Sequence, residues 1–84
     1  MAQTKSIFDS RYKELIQLLI NRRHKNGWSQ ITFSKISKIQ RTNIARTELH
    51  ERRLDLIEAI DYMKKLEISK AEIKKILNDI VDKS

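Results

Sequence analysis

Basic side chains are concentrated in one part of this 84-residue chain. Residues 15–47 contain no Asp or Glu, and their Lys and Arg residues are Arg22, Arg23, Lys25, Lys35, Lys38, Arg41 and Arg46. Ammonium and guanidinium groups bind phosphate through charge-assisted hydrogen bonds. Together with a formal net charge of +7, this distribution predicts a polyanion as partner, either nucleic acid or an anionic surface.

The residues that catalysis or metal binding would need are missing or unsuitably spaced. The chain has no Cys, and its two histidines, His24 and His50, lack the His-x-x-x-His spacing of a zinc site. No nucleophile stands with a base, and no glycine-rich loop could cradle a phosphate. We therefore expect no enzyme activity, no cofactor, no metal and no small-molecule ligand.

The composition predicts an all-α fold. One Gly, no Pro and abundant Lys, Glu, Leu and Ile favour helices and leave little turn chemistry for hairpins. A chain of this length forms one domain whose buried area is small, so a partner subunit would help its stability. No apolar run reaches membrane-spanning length and the N-terminus lacks a signal-peptide core, so a cytoplasmic location is expected.

The helical pattern divides the chain into a flexible segment at residues 1–8, a domain at residues 9–68 and a final helix at residues 69–84. The first helix is predicted to begin at Asp9 or Ser10 and to end near Lys25. Its apolar stripe repeats at helical spacing and consists of Tyr12, Leu15, Ile16, Leu19 and Ile20. Gly27 follows, where a left-handed residue can end a helix.

Two short helices are predicted next, joined by a tight turn. Ser29 caps the second helix, and Trp28 and Phe33 stand at the positions of a hydrophobic staple. We expect this helix to have only two turns. The third helix is predicted at residues 41–47, with Ile44 pointing inward.

A fourth and a fifth helix complete the predicted fold. After a polar connector, residues 54–66 form the fourth helix, whose apolar residues are Leu56, Ala59, Ile60, Met63 and Leu66. Ser69 and Glu72 have the spacing of a capping box at the start of the fifth helix. Its apolar face consists of Ile73, Ile76, Leu77, Ile80 and Val81.

Several short sequence patterns lie at spacings shared by a known family. Residues 26–30, Asn-Gly-Trp-Ser-Gln, match its Gly-apolar-Ser/Thr-Gln opening of the second helix. Ile44 and Glu48 match its Ile-x-x-x-Glu, and residues 66–69, Leu-Glu-Ile-Ser, match its closing Leu-x-apolar-Ser. Over roughly residues 15–69 the chain thus resembles the Xre-type helix-turn-helix proteins, which include Cro and the lambda-type repressors.

The chain departs from the family pattern at the ends of the short helices. Lys38 stands where the family has the glycine of its turn, and His50 replaces the glycine after the glutamate. A left-handed conformation at Lys38 would cost about 1 kcal/mol. Ser37 occupies a usually apolar position and Ile36 a usually polar one, so the alternative is a turn displaced by one residue.

The resemblance implies a compact five-helix, lambda-repressor-like domain that binds double-stranded DNA as a homodimer. The third helix, residues 41–47, would be the recognition helix in the major groove. Side chains expected to face the DNA are Gln40, Arg41, Thr42, Ala45 and Arg46. Arginine suits guanine and glutamine suits adenine; Asn43 is equally suitable chemically but is expected to point towards the DNA backbone.

Other residues are assigned by the same resemblance. Gln30 aligns with a glutamine that binds a phosphate and braces the recognition helix, and Arg23 aligns with an arginine that pairs with the Glu48 position. Four further cations are either phosphate contacts or solubilising charges: Lys35, Lys38, Arg52 and Arg53.

The apolar face of the last helix has three interpretations. It folds back on its own domain, pairs with a second subunit, or receives another protein such as a toxin. We favour dimerisation, because a lone domain this small seldom binds DNA tightly and specifically. A membrane-surface role is disfavoured by Asp79 and Asp82 and by the lack of an aromatic anchor.

These observations lead to one main functional hypothesis and two others. The main one is a transcriptional repressor that binds a palindromic operator as a homodimer. The second hypothesis is an antitoxin that controls its own promoter and binds a toxin, since the short Xre-type proteins that this chain resembles occur as antitoxins, phage regulators and controllers of restriction-modification operons. The weakest hypothesis is a non-specific architectural or RNA-binding protein.

Overall fold

The computed structural model describes residues 9–83 and contains, within this range, only helices connected by short segments. The helices are α1 (Ser10–Lys25), α2 (Gln30–Ser37), α3 (Arg41–Glu48), α4 (Leu56–Lys65) and α5 (Lys70–Asp82). The Cα radius of gyration is 12.7 Å, far below the roughly 27 Å of an unfolded chain of this length. The predicted all-α class with five helices is therefore confirmed, whereas the segment at residues 1–8 lies outside the described residues.

Side-chain caps explain where most of the helices begin. The residue that precedes the first turn accepts a hydrogen bond from a backbone amide in α1, α2, α4 and α5, and these caps are Asp9, Ser29, Asp55 and Ser69. Each satisfies an amide that has no partner inside the helix. Gln40, which precedes α3, makes no such bond. The start of α3 is therefore fixed by other contacts, described below.

The fourth helix begins two residues later than predicted. Asp55 accepts from the amide of Glu58, and the Glu58 carboxylate accepts from the amide of Asp55, which completes a capping box. The predicted start at residue 54 was wrong because this pattern takes precedence over the apolar periodicity. As a consequence Leu54 is buried in the core, while Leu56, expected on the inward face, is 63% exposed.

The start of α5 differs from its predicted capping box. Ser69 Oγ accepts from the amide of Glu72, as expected. The Glu72 carboxylate instead forms an ion pair with Arg22 of α1. This pair lowers the pKa of Glu72 through the hydrogen bond from the guanidinium. The glutamate thus connects α5 to α1.

The core lies where all five helices meet. It contains Ile16 and Leu19 of α1, Phe33 of α2, Ile44 of α3, Met63 of α4, and Ile73 and Ile76 of α5. The Phe33 ring is stacked on Trp28 at a centroid distance of 6.0 Å and meets Tyr62 edge-on at 5.3 Å. Truncation of such a buried aromatic ring costs about 3–5 kcal/mol. This packing fixes α2 and α3 against the rest of the chain.

Candidate nucleic-acid interface

The third helix turns one face to solvent and the opposite face to the core. Its exposed positions are i, i+1, i+4, i+5 and i+8, namely Arg41, Thr42, Ala45, Arg46 and the helix-ending Leu49, of which Ala45 is half-buried. On the opposite face Ile44 and Thr47 are buried. Thr47 Oγ1 donates to the backbone oxygen of Asn43 over 2.7 Å, so its buried hydroxyl is satisfied.

Leu49 is a member of this face that the sequence reading missed. Its side chain is 64% exposed, although leucine is usually buried. It had been placed in a polar connector after residue 48. Its spacing of four residues from Ala45 was the available signal.

A buried ion pair joins the end of α3 to α1. Arg23 Nε donates to Glu48 Oε2 over 2.7 Å, and Arg23 Nη2 donates to Glu48 Oε1 over 2.9 Å. The two side chains are 8% and 10% exposed. Arg23 Nη1 also donates to the backbone oxygen of Trp28 over 2.9 Å. The pair implied for Arg23 and Glu48 is thus present, and its geometry is bidentate.

The second helix is tied to the same carboxylate. Gln30 Nε2 donates to Glu48 Oε1 over 2.9 Å. The first residue of α2 is therefore bonded to the last residue of α3. This bond corresponds to the bracing role expected for Gln30; its phosphate contact stays a prediction.

His24 adds one contact to this cluster. Its Nε2 lies 3.2 Å from Arg23 Nη2. A guanidinium nitrogen only donates, so a hydrogen bond here has Nε2 as its acceptor. His24 is thereby placed to help orient Arg23.

The turn between α2 and α3 has a left-handed lysine. Lys38 has φ 69°, as expected for the residue that replaces the family's glycine. Ser37 is 4% exposed and Ile36 is 48% exposed, so the turn is not displaced by one residue. Ser34 Oγ donates to the backbone oxygen of Ile39 over 2.6 Å, and Ser37 Oγ accepts from the Ile39 amide over 3.1 Å. The two serines therefore hold both backbone groups of the residue after Lys38.

A second left-handed residue follows α3. His50 has φ 61° and occupies the position expected to be a glycine. Its amide donates to the backbone oxygen of Thr47 over 3.2 Å, and the next amide, of Glu51, donates to the oxygen of Arg46 over 2.8 Å. These two bonds close the end of α3. Among the described residues, the buried Nδ1 of His50 has no hydrogen-bond partner.

The exposed cations of α2 and α3 differ from Arg52, in the segment after α3, in whether they form ion pairs. Exposed basic residues that take part in none of the ion pairs among residues 9–83 include Lys35, Lys38, Arg41 and Arg46. Arg52, in contrast, donates to Glu58 over 2.6 Å. This hydrogen bond lowers the pKa of the Glu58 carboxyl group. Of the two basic residues predicted after α3, Arg52 is thus engaged within the chain, and Arg53 also interacts with other residues although it is exposed.

Asn43 lies beside the exposed face of α3 and not on it. Its side chain is half-buried and lines a cleft between α3 and α4, together with Thr47 and Tyr62. Of the predicted base-contacting set, the structure therefore brings Arg41, Thr42, Ala45 and Arg46 onto one surface, with exposed Gln40 immediately before them.

The apolar face of α5 is divided between the core and the surface. Ile73 and Ile76, predicted at a dimer interface, are buried in the core of their own chain. The assignment of these two residues to a dimer interface needs correction. Helical periodicity identifies an apolar face, but it does not distinguish packing in the chain's own core from packing against a second subunit. Leu77 and Ile80 are half-buried, and Val81 is 67% exposed. Leu77 and Ile80 line a shallow groove between α1, α4 and α5.

Neither a membrane-spanning helix nor a cluster of metal ligands is present within residues 9–83. No helix in this range is both long and apolar enough to cross a membrane. No three His, Asp or Glu side chains there are grouped as metal ligands would be. The exposed face of α3 therefore has the best-defined geometry among the candidate sites.

The resemblance to the Xre-type proteins rests on the sequence patterns described above. Comparisons with protein-family models, with curated proteins and with solved structures gave no match.

Proposed function

We propose that this chain is a sequence-specific DNA-binding transcriptional regulator in which α2 and α3 form a helix-turn-helix. The observation that carries the proposal is the exposed face of α3. Arg41 and Arg46 lie on it and form no ion pair with residues 9–83, while Ile44 and Glu48 anchor the opposite side. A helix that is held rigidly on one side and exposes unpaired arginines on the other suits recognition of an anionic partner.

The dimensions and chemistry of α3 suit the major groove of DNA. An α-helix with its side chains is about 10–12 Å wide, and the groove is about 12 Å wide. Arg41 and Arg46 can each donate two hydrogen bonds to N7 and O6 of guanine. Gln40 makes no cap bond with α3, so its amide group is available to pair with adenine.

The apolar positions on the same face complete the base-reading surface. Ala45 and Leu49 are four residues apart, and the methyl group of Thr42 lies on the same surface. Apolar side chains of this kind contact the methyl group of thymine. We therefore assign guanine, adenine and thymine contacts to one continuous face of α3.

Phosphate contacts are assigned to residues around that face. Gln30 stands at the start of α2, where unpaired amides and the helix dipole attract phosphate. Lys38 precedes the start of α3 and is exposed. Arg52 and Arg53 are further candidates, and Arg52 would have to leave Glu58 to bind a phosphate.

We assign to the protein the role of a repressor that binds a palindromic operator as a homodimer in the cytoplasm. Two subunits would read half-sites about one helical turn apart and exclude polymerase by occupying the promoter. The surface residues of α5 and of the adjacent groove, Leu77, Ile80, Val81 and Leu56, provide apolar area for the subunit contact.

The test is selection of binding sequences from randomised duplexes at fixed salt, followed by affinity measurements on selected and random duplexes. A specific regulator binds its selected site about 10³-fold or more tightly than random DNA. Equal affinity for both duplexes, falling steeply with salt, would instead identify a non-specific architectural protein.

A second candidate function is an antitoxin with the same DNA-binding face. The observation that favours it is the exposed apolar surface at the start of α4, where Leu56 and Ile57 are 63% and 65% exposed. Exposed apolar patches of this kind mark protein interaction sites. A stable complex with the product of a neighbouring small gene would support the antitoxin, and a neighbouring restriction-modification operon would support a controller protein.

A further inference from the structure

Lys38 combines a strained backbone conformation with a side chain that forms no ion pair within residues 9–83. A positive φ is disfavoured for every residue with a Cβ, and glycine would adopt it freely. The Lys38 side chain is exposed and takes part in none of the ion pairs among residues 9–83. Within residues 9–83, no ion pair therefore accounts for a lysine at this position. Strained positions that persist in this way are concentrated at functional sites.

Three hydrogen bonds hold Lys38 in this conformation. Its own amide donates to the backbone oxygen of Ser34 over 2.9 Å. Ser34 Oγ and Ser37 Oγ then bond to the carbonyl and the amide of Ile39, as described above. Bonds on both sides of Lys38 fix its backbone torsions. The buried serine, Ser37, occupies a position that would otherwise favour an apolar residue.

The position of Lys38 suggests what the lysine does. It lies two residues before Gln40, the cap position of α3, and three before Arg41. Proteins that insert the start of a helix into the major groove contact the flanking phosphates with residues around that start. An ammonium group held at the turn would be placed beside the phosphate backbone whenever α3 enters the groove.

We propose that Lys38 is kept in place of glycine because its ammonium contacts a DNA phosphate beside the start of α3, and that Ser34 and Ser37 are the positioning residues that hold it there. This inference rests on the DNA-binding function proposed above. It assigns a functional reason to a backbone strain that the chain could otherwise avoid. It also gives Ser34 and Ser37 a role beyond the formation of α2, namely to hold Lys38 in its left-handed conformation.

The first experiment replaces Lys38 with glycine and measures thermal stability and DNA affinity in parallel. Lys38→Gly should raise the melting temperature, because glycine removes the strain. The same variant should bind selected and random duplexes about five- to tenfold more weakly near 0.1 M salt for each subunit bound, because each subunit loses one phosphate contact. The slope of log affinity against log salt should become shallower by about 0.9 for each subunit bound.

Two variants serve as controls for this measurement. Lys38→Ala should lose affinity to the same extent but gain no stability, because alanine retains a Cβ. Lys74→Ala removes one charge from an exposed position of α5. It should leave the melting temperature and the DNA affinity nearly unchanged. A Lys38→Gly protein that binds DNA with the parent's affinity and salt slope would overturn the proposal.

The second experiment tests the serines by a double-mutant cycle. Ser34→Ala and Ser37→Ala are each made with Lys38 and with glycine at position 38. The loss of melting temperature, and the increase in hydrogen exchange of the Ile39 amide, should be larger with Lys38 than with glycine. Losses that are equal in the two backgrounds would refute the positioning role. If Ser37→Ala does not fold with Lys38 but folds with glycine at position 38, Ser37 is coupled to the left-handed conformation of Lys38.

The two experiments separate failure of this inference from failure of the proposed function. If no duplex is bound more tightly than random DNA, the proposed function is wrong. The stability cycle needs no DNA and still reports on the serines. If the parent binds a selected duplex and Lys38→Gly binds it equally well, only the inference about Lys38 is wrong.

Discussion

Gln30 Nε2 donates a hydrogen bond to Glu48 Oε1 over 2.9 Å, so the first residue of α2 is bonded to the last residue of α3. The same carboxylate pairs with Arg23 of α1 through two further bonds. One buried carboxylate therefore connects the three helices that surround the candidate interface. Because its partners come from both α1 and α2, the orientation of α3 depends on Glu48.

We predict that Glu48→Ala destabilises the protein by about 3–5 kcal/mol, because it leaves the buried Arg23 guanidinium without its partner. Urea denaturation would measure the change. Glu51→Ala, which removes an exposed carboxylate three residues later, is the matched control and should have an effect below about 0.5 kcal/mol. Similar effects for the two variants would show that the pair at Glu48 has no structural role.

The same site allows a test of positioning against stability. Replacement of both partners, Arg23→Met with Glu48→Leu, should recover much of the stability, since apolar pairs often substitute for buried ion pairs. We nevertheless expect the double variant to bind DNA more weakly than the parent, because Gln30 loses its contact with α3. If the folded double variant binds DNA with the parent's affinity, the contact between Gln30 and Glu48 does not position α3.

Arg46→Lys should reduce base discrimination while leaving the salt dependence of binding unchanged. Lysine keeps the charge but cannot donate the paired hydrogen bonds that fit guanine. The expected loss for the selected duplex is about 1–3 kcal/mol, and the loss for random duplexes should be much smaller. Fluorescence anisotropy on both duplexes over a salt series would measure both quantities. An equal loss on both would make Arg46 a phosphate contact.

Val81→Asp should weaken association between subunits without lowering the stability of the single chain. Val81 is exposed, so its replacement creates no cavity, but a carboxylate would oppose an apolar contact between subunits. Light scattering over a concentration series would measure the molecular mass. Asn78→Asp adds the same charge at another exposed position of α5 and should leave the mass unchanged. A parent protein that is monomeric at every concentration and on DNA would contradict the predicted homodimer.

Acid should weaken the start of α1 through Asp9. The hydrogen bonds from the Arg11 side chain and amide lower the pKa of Asp9 from 3.8 to about 2. A lowered pKa in the folded state means that the contribution of Asp9 is complete above about pH 4 and is lost as the pH falls towards 2. Melting temperatures measured between these values should fall less steeply in Asp9→Asn, since asparagine still caps the helix but does not titrate.

Asp61→Asn is the control for this pH series. Asp61 is exposed on α4 and has no ion pair among those of residues 9–83. The melting temperature of Asp61→Asn should fall with decreasing pH as steeply as that of the parent. If Asp9→Asn also retains the full dependence, other carboxylates such as Glu72 and Glu58 account for the loss of stability in acid.

The positions of most helices were predictable because their ends carry local signals. Ser29 and Gly27 indicated the gap between α1 and α2, and Ile44 indicated the inward side of α3. The predicted start of α4 at residue 54 was wrong, because Asp55 and Glu58 form a capping box and the helix begins at Leu56. This cap determines the helix start more precisely than the apolar periodicity does.

The contacts of individual side chains were less predictable from the sequence. An apolar stripe identifies a face but not its partner, and for this reason Ile73 and Ile76 were assigned to an interface although they pack in the core. In the sequence, Ser37 is only a departure from the family pattern. Only the three-dimensional structure shows that Ser34 and Ser37 both bond to the backbone of Ile39.

The most direct test of the central claim, that the exposed face of α3 reads DNA bases, is the affinity of Arg41→Ala for the selected duplex and for its single-base variants at one salt concentration. We predict a loss of about 1–3 kcal/mol for each half-site and a loss of discrimination at one base pair in it, with the other positions discriminated as before. An Arg41→Ala protein that binds these duplexes with the affinities and preferences of the parent would contradict the claim.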